Sequence, residues 1–328
     1  MKAVYIKTFG GPENLEIREV SDPPKPTGSQ VLVRIKAAGL NRADLLQRRG
    51  LYPPPGGYSP NIPGMEFAGE IADMGEAVDG WKTGDRVFGI TAGEAQAELL
   101  LIDSSLLARI PDNLSFTEAG GIPEVFITAH DAVFTQAKLK SGETILVHAV
   151  GSGVGLAVIQ LAKAAGAKTV GTSRTADKLE RAREFGLDEA ILTGESAEFA
   201  QILKTKTGGR GVDVILDLVG AAYFRENLDS LAAKGRLMLV GLTSGTLADI
   251  DLTVALHKRL QIIGTVLRGR SVEEKADATR RFCEEVVPLL SNGKVRPNID
   301  KIYPATSVGE AHVYIESNNS FGKVVLEF

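Results

Sequence analysis

The stretch Gly151-Ser152-Gly153-Val154-Gly155 constrains the fold of this 328-residue chain more than any other. It follows an apolar run, Ile145-Leu146-Val147-His148-Ala149-Val150, that reads as a buried strand. It opens a segment in which Val154, Val158, Leu161, Ala162 and Ala165 recur at helical spacing until Gly166 ends it. Small residues between a strand and a helix let the backbone turn tightly and approach a pyrophosphate. The helix start then offers unpaired N–H groups and a positive dipole end to the anion. The spacing departs from G-x-G-x-x-G, since position 156 is Leu156. A purely structural tight turn is the alternative reading.

The surroundings of the turn extend the argument. Strand runs at Thr169–Thr172, Val212–Leu218, Arg236–Gly241 and Leu260–Gly264 alternate with amphipathic helical segments from Pro123 onward. That alternation implies a parallel, doubly wound sheet. Before Pro123 the chain has strand alternation at Lys2–Ile6 and Val31–Lys36, turn clusters at Asp22–Pro26 and Pro53–Gly57, and one short helix at Asn41–Arg49. After a helix expected from Val272 to Leu290, β character returns at Lys323–Phe328. The fold class expected is α/β, with a Rossmann sheet over 123–267 inserted in a β-rich domain built from 1–122 and 268–328.

Composition excludes several classes. A formal net charge of −4 gives no electrostatic footprint for nucleic acid or an anionic membrane. The single cysteine, Cys283, forms no intrachain disulfide. The N-terminus lacks the apolar segment of a signal peptide, and no apolar run is long enough to span a bilayer. A cytoplasmic protein is expected.

The nucleotide type is read one strand further on. NAD-binding sheets place an acid about 20 residues past the turn, on the ribose 2′-hydroxyl. Here that region is Gly171-Thr172-Ser173-Arg174-Thr175-Ala176-Asp177-Lys178. Ser173, Arg174 and Lys178 offer a hydroxyl and two cations to a 2′-phosphate, and Asp177 falls in the helix start, where an acid favours the dipole. NADPH is therefore expected, against the alternative of a capped, solvated helix start.

Ala38-Gly39-Leu40-Asn41-Arg42-Ala43-Asp44, Pro63-Gly64-Met65-Glu66-Phe67-Ala68-Gly69, Gly84-Asp85-Arg86-Val87 and the segment Gly142–Lys163 carry a family resemblance. With them the chain resembles, over essentially its whole length, the zinc-free quinone oxidoreductase branch of the medium-chain dehydrogenase/reductase superfamily. Asn41–Arg48 and Ile122-Pro123-Glu124 look closest to its p53-inducible subgroup. The resemblance implies a GroES-like catalytic domain, a Rossmann domain, a cleft between them and a homodimer formed through the Rossmann domain. It also implies cofactor contacts at Asn41, Thr128, Gly151, Ser152, Gly153, Val154, Val219, Gly241, Leu242, Thr243, Leu267 and Arg268. For Arg268 a solvated charge is the alternative. A family tyrosine near the 2′-phosphate is replaced here by Thr193.

Zinc alcohol dehydrogenases of the superfamily carry a cysteine where Asn41 stands and a histidine where Met65 stands. Neither replacement is a good zinc ligand. His130, His148, His257 and His312 are scattered, and His148 falls in a buried strand. Without a Lewis acid, an acceptor that is already electrophilic is favoured: a quinone or a conjugated carbonyl. The residues expected at the chemistry are Asn41, Tyr52 and, as a second tyrosine, Tyr58. Asn41 is equally a helix cap; for Tyr52 a loop-anchoring aromatic is the alternative. Asp44 is read as a partner of Arg42 or Arg48, and the product's proton as coming from solvent. The rival expectations are an enoyl or enone reductase on the same fold and a non-catalytic nucleotide-binding protein.

Overall fold

Beyond Pro123, the apolar strand runs build one parallel sheet. The computed structural model describes residues 1–194 and 198–328. It divides into two compact units, one of Met1–Ile127 with Leu267–Phe328, the other of Thr128–Val266. In the second unit six strands lie in the spatial order Glu189–Leu192, Lys168–Ser173, Thr144–Val147, Val212–Asp217, Leu231–Leu239 and Gln261–Gly264, every adjacent pair parallel. Chain order reverses on either side of Thr144–Val147, the arrangement that opens a nucleotide crevice at the strands' carboxyl ends. Ile145, Leu146, Val147, Val214, Ile215 and Leu216 are fully buried. Helices cover both faces of such a sheet, which is why these strands read as unbroken apolar runs rather than alternating ones.

The strand at Thr144 is shorter than its sequence suggests. It ends at Val147, and Ala149 takes a left-handed conformation (φ 49°) that turns the chain toward the helix Gly153–Ala164. Gly155 is needed there. A Cβ on it would lie 2.6 Å from the Val150 carbonyl oxygen, so only glycine lets the helix seat on the strand. Ser152 caps the helix, its hydroxyl accepting the Gly155 N–H at 3.1 Å.

The first unit is mostly antiparallel. Its seven-stranded sheet runs Ile299–Pro304, Lys323–Glu327, Gln30–Leu40, Glu66–Met74, Arg86–Ile90 and Leu107–Arg109, with Leu99–Asp103 also paired to Gln30–Leu40. Burial alternates at the start of Gln30–Leu40 and becomes continuous from Ala38 to Leu40. There the last strand of the chain and the helix Phe116–Gly120 both cover it. The GroES-like and Rossmann parts of the expected α/β fold are both present. The helix expected from Val272 to Leu290 is two helices, Val272–Glu285 and Val287–Ser291. Pro288 has no N–H to continue the first, so the chain breaks at Val286 and restarts with proline in the opening turn. Among the described residues, no helix is long and apolar enough to cross a membrane.

Replacing Gly155 with alanine sets its new Cβ against backbone, which yields less readily than a side chain. We expect the G155A protein to lose about 1–3 kcal/mol of stability in urea unfolding. An unchanged midpoint would mean that the helix seats further from the strand than described.

Candidate functional site

In the second unit the carboxyl edge of the sheet gathers most of the residues expected to hold a nucleotide. Gly151, Ser152, Gly153 and Val154 form the turn and helix start. Ser173 ends the neighbouring strand and accepts the Thr175 N–H at 3.2 Å. Arg174 is exposed and Lys178 half-buried beside it. Asp177 points to solvent and pairs with Arg181 at 3.7 Å, one helical turn on. Thr193 is buried, its hydroxyl bonded to the Ser173 carbonyl and accepting from Tyr223 at 3.1 Å. A tyrosine thus reaches this corner from elsewhere in the chain, which strand-by-strand reading did not find. Val219, Gly241 and Thr243 lie in two loops stitched together: Gly241 N–H reaches Asp217 O at 3.1 Å, and the Thr243 hydroxyl reaches Leu218 O at 3.1 Å. Leu242 between them is exposed. Thr128 is half-buried in the helix Pro123–His130.

A buried polar chain fixes the loop that carries Val219. Burial drives the His148 pKa down, so its ring is neutral. Its Nε2–H donates to Asn227 Oδ1 at 2.6 Å, and its Nδ1 accepts from the Thr172 hydroxyl at 2.8 Å. The other end of the same amide, Asn227 Nδ2, donates to Asp217 Oδ2 at 2.9 Å, which sets the amide's orientation and with it the ring's tautomer. Asp217 Oδ1 then accepts the N–H groups of Val219 and Gly220 at 2.7 and 3.0 Å. His148 is a satisfied core residue.

In the first unit Asn41 does cap the helix Arg42–Arg48 by position, and its N–H is held by Asp44 Oδ2 at 2.7 Å. Its side chain turns elsewhere. Asn41 Nδ2 donates to Glu66 Oε1 at 2.9 Å, and Asn41 Oδ1 accepts from Lys323 Nζ at 2.7 Å. Lys323 closes the triangle on Glu66 Oε1 at 2.6 Å and spends its third proton on Leu40 O at 2.7 Å. Glu66 Oε2 accepts the Glu124 N–H at 2.9 Å. Glu66 is fully buried, and Gly39 has to be glycine to admit it: a Cβ there would strike both the Glu66 carboxylate and the Gly120 carbonyl.

Asp44 is bonded to neither Arg42 nor Arg48, contrary to the expectation. Its second oxygen takes the Gly64 N–H at 3.1 Å, while Arg48 is drawn to Gly10 O and Glu316. Burial raises Asp44 to about 6, against the two N–H donors and the charges of Arg268 and Lys323. Arg268 is 4 % exposed, which overturns the solvated-charge alternative. It donates to Ala92 O at 2.7 Å, to Tyr52 O at 2.9 Å and to Gln47, and its guanidinium lies over the Tyr52 ring. Leu267 beside it is buried. Tyr52 is half-buried, and Tyr58 packs against Gly93, next to the carbonyl that Arg268 holds. Arg268 therefore fixes the loops that carry both tyrosines. Glu66, Glu124 and Lys323 were not singled out from sequence as functional. Among the described residues, no group of three or more His, Cys, Asp or Glu side chains is arranged to hold a metal ion.

A parallel nucleotide-type sheet joined to a GroES-like unit defines a nicotinamide-dependent dehydrogenase or reductase architecture. Comparison with known proteins agrees. Residues 27–138 match the alcohol dehydrogenase GroES-like domain family and residues 153–282 the zinc-binding dehydrogenase family. Quinone oxidoreductase of Rattus norvegicus is 31% identical over 99% of this chain and 97% of its own. Among solved structures, Escherichia coli quinone oxidoreductase complexed with NADPH covers all of both chains at 30% identity and a TM-score of 0.88. The CurK enoyl reductase also has a TM-score of 0.88, at 26% identity over 99% of this chain and 98% of its own. The chain belongs to the quinone oxidoreductases of the medium-chain dehydrogenase/reductase superfamily and is an oxidoreductase.

Removing the Lys323 ammonium strands the buried Glu66 carboxylate. K323M should lower stability by about 3–5 kcal/mol in urea unfolding. Adding Glu66→Gln should recover a large part of that loss. A single variant as stable as the parent would show that the pair is not desolvated.

Proposed function

We propose that this chain is an NADPH-dependent reductase that directs hydride to a quinone or a similarly conjugated carbonyl without using a metal ion. The observation that carries the reading is the Asn41–Glu66–Lys323 triangle. It stands where the zinc alcohol dehydrogenases bring a ligand, and the Asn41 oxygen faces an ammonium 2.7 Å away. A divalent cation there would meet a fixed positive charge and acceptors already taken. When bound, NADPH supplies the hydride. The chain's own task is to orient the acceptor and to stabilise the charge that develops on it. Tyr52 offers a half-buried ring and a hydroxyl for this, and Asn41 and Tyr58 belong to the same unit.

The second unit fits the nucleotide. Gly155 leaves the backbone of the turn bare, and the helix behind it has twelve residues to build a dipole. Exposed Arg174, with Lys178 and Ser173, favours a 2′-phosphate, and Asp177 is turned aside to Arg181. A second reading is reduction of an enone or enoyl double bond. The likeness to an enoyl reductase and the available Tyr52 hydroxyl favour it.

NADPH oxidation followed at 340 nm across quinones and enones should show quinone turnover with NADPH preferred, unchanged by a chelator. Turnover of enones alone would select the second reading. R174A should raise the KM for NADPH about tenfold or more while leaving that for NADH nearly unchanged, since a charge-assisted hydrogen bond contributes about 1.5–3 kcal/mol. Equal effects on both cofactors would remove the 2′-phosphate role.

We also infer a homodimer. The edge strand Gln261–Gly264 presents unpaired backbone, and Leu252, Leu256 and Ile262 nearby in sequence are 68, 73 and 42 % exposed. Such an edge calls for a partner. Light scattering should give twice the chain mass for the wild type, and I262K should dissociate it to monomers. A wild-type monomer would refute the inference.

A further inference from the structure

We infer that Glu124 is the proton donor of the reaction, its carboxyl O–H protonating the anion that remains when the acceptor has taken up hydride. The inference rests on the reductase reading above and names a source for the proton that sequence reading left to solvent.

Glu124 stands in the first turn of the helix Pro123–His130. The bond from its main-chain N–H to Glu66 Oε2 fixes it against the buried triangle. The charged and titratable groups facing it come from every element around it: Glu66 and Lys323 from two strands, Asp44 from the helix Arg42–Arg48, and Arg268 and Tyr52 from the loops they join. Lys275, from the helix Val272–Glu285, completes the set. The cations among them are already engaged. Lys323 donates all three protons, to Leu40 O, Asn41 and Glu66, whose carboxylate neutralises it. Arg268 is held by Ala92, Tyr52 and Gln47, and Lys275 Nζ by Arg270 O at 2.7 Å. Lys323 and Arg268 pull Glu124 down, but less than burial and the Glu66 charge push it up. Burial, and then the charge of Glu66, push it up to about 8. At neutral pH it is a carboxylic acid.

Two more features suit it to proton transfer. The residue as a whole keeps some exposure, while its carboxyl lies deep enough for burial to dominate its charge state. Among the described residues its carboxyl has no hydrogen-bond partner, so its proton is not committed to the protein. Asp44 is the contrast: fully buried, with both oxygens already accepting main-chain N–H groups, it has no such freedom. The step balances. Hydride carries two electrons to the acceptor, leaving a monoanion. The Glu124 O–H bond breaks, and an O–H bond forms on a quinone-derived anion (for an enolate, an O–H bond on oxygen or a C–H bond on the α-carbon). Glu124 remains as carboxylate and regains a proton from water. One acceptor, one hydride and one solvent proton are consumed per turnover.

The test uses the full-length wild type, Glu124→Gln and Glu124→Asp. Infrared difference spectra of the protein without ligands, taken from about pH 5 to about pH 10, should contain a protonated-carboxyl band that titrates near pH 8 and is missing from E124Q. On an acceptor that the wild type reduces, kcat should fall as pH rises through about 8, because the active form is the protonated one. E124Q should lower kcat about 10²-fold and flatten that profile, with nucleotide binding unchanged by fluorescence titration, and E124D should restore part of the rate. An E124Q protein with wild-type kcat and pH profile overturns the proposal alone, as does the absence of the titrating band. A wild type that turns over neither quinones nor enones overturns the functional reading and this proposal together.

Discussion

The rest of the first unit is organised around one buried ion pair, Lys323 with Glu66. It draws together the last strand of the chain and a strand that starts more than 250 residues earlier, and Asn41 completes it from the end of a third. Each side chain is there because another makes its burial tolerable. Glu66 would be too costly without the ammonium, and the ammonium without three acceptors. Gly39 belongs to the same constraint, since its missing side chain is the space that Glu66 occupies. A buried pair is weak evidence of net stability. Its value here is electrostatic: it fixes which neighbouring groups are charged. Asp44 and Glu124 are both pushed up by burial, but Asp44 holds two N–H donors that favour its anion, while Glu124 holds none. The outcome is about 6 for one and about 8 for the other, a difference that follows from the N–H donors on Asp44 and from the Glu66 charge beside Glu124.

The second unit solves its polar problem without burying a charge pair at its centre. His148 stays neutral because burial penalises its cation, and as a neutral ring it can accept from Thr172 and donate to Asn227 at once. Protonation would turn Nδ1 into a donor and reverse its bond to the Thr172 hydroxyl. The relay ends on two main-chain N–H groups at the carboxyl edge of the sheet, so the geometry of the Val219 loop depends on the tautomer of a histidine one strand away. The backbone there is held in advance of any ligand, which reduces the ordering cost of binding.

What could be read from sequence was what is local. The turn at Gly151–Gly155 is a strand, a bend and a helix within about 20 residues, and each part has its own signal in periodicity and glycine placement. The parallel sheet followed from the same kind of signal. The strand that stops at Val147 did not, because Ala149 adopts a left-handed conformation for which alanine gives no warning. The break at Val286 was legible in Pro288 but was read through. The cluster of the first unit was hidden for a different reason. Glu66 lay within a quoted motif and Glu124 within another, yet nothing in either says that Lys323 will come between them and Asn41. Their chemistry arises from contacts across hundreds of residues, and a lysine near a C-terminus looks like any solvated charge. Arg268 was noticed, but its three acceptors come from loops whose approach no local pattern encodes.

The proposed reductase chemistry sets a requirement on charge. A hydride acceptor becomes an anion, and a site for it must supply either a positive charge or a proton. A metal ion supplies the first in the zinc enzymes of the superfamily. In this chain Lys323 is neutralised by Glu66, while Arg268 and Lys275 are hydrogen-bonded to neutral carbonyl and amide oxygens. A neutral acid delivers its proton only as the anion forms and leaves the ground state of an uncharged acceptor almost untouched. Catalysis gains from interactions that strengthen toward the transition state, so a proton held by burial serves better than a fixed charge that would bind other anions equally well. On the proposed reading, such a site would work on acceptors already electrophilic enough to take hydride. That limit is consistent with quinones and conjugated carbonyls and disfavours simple ketones.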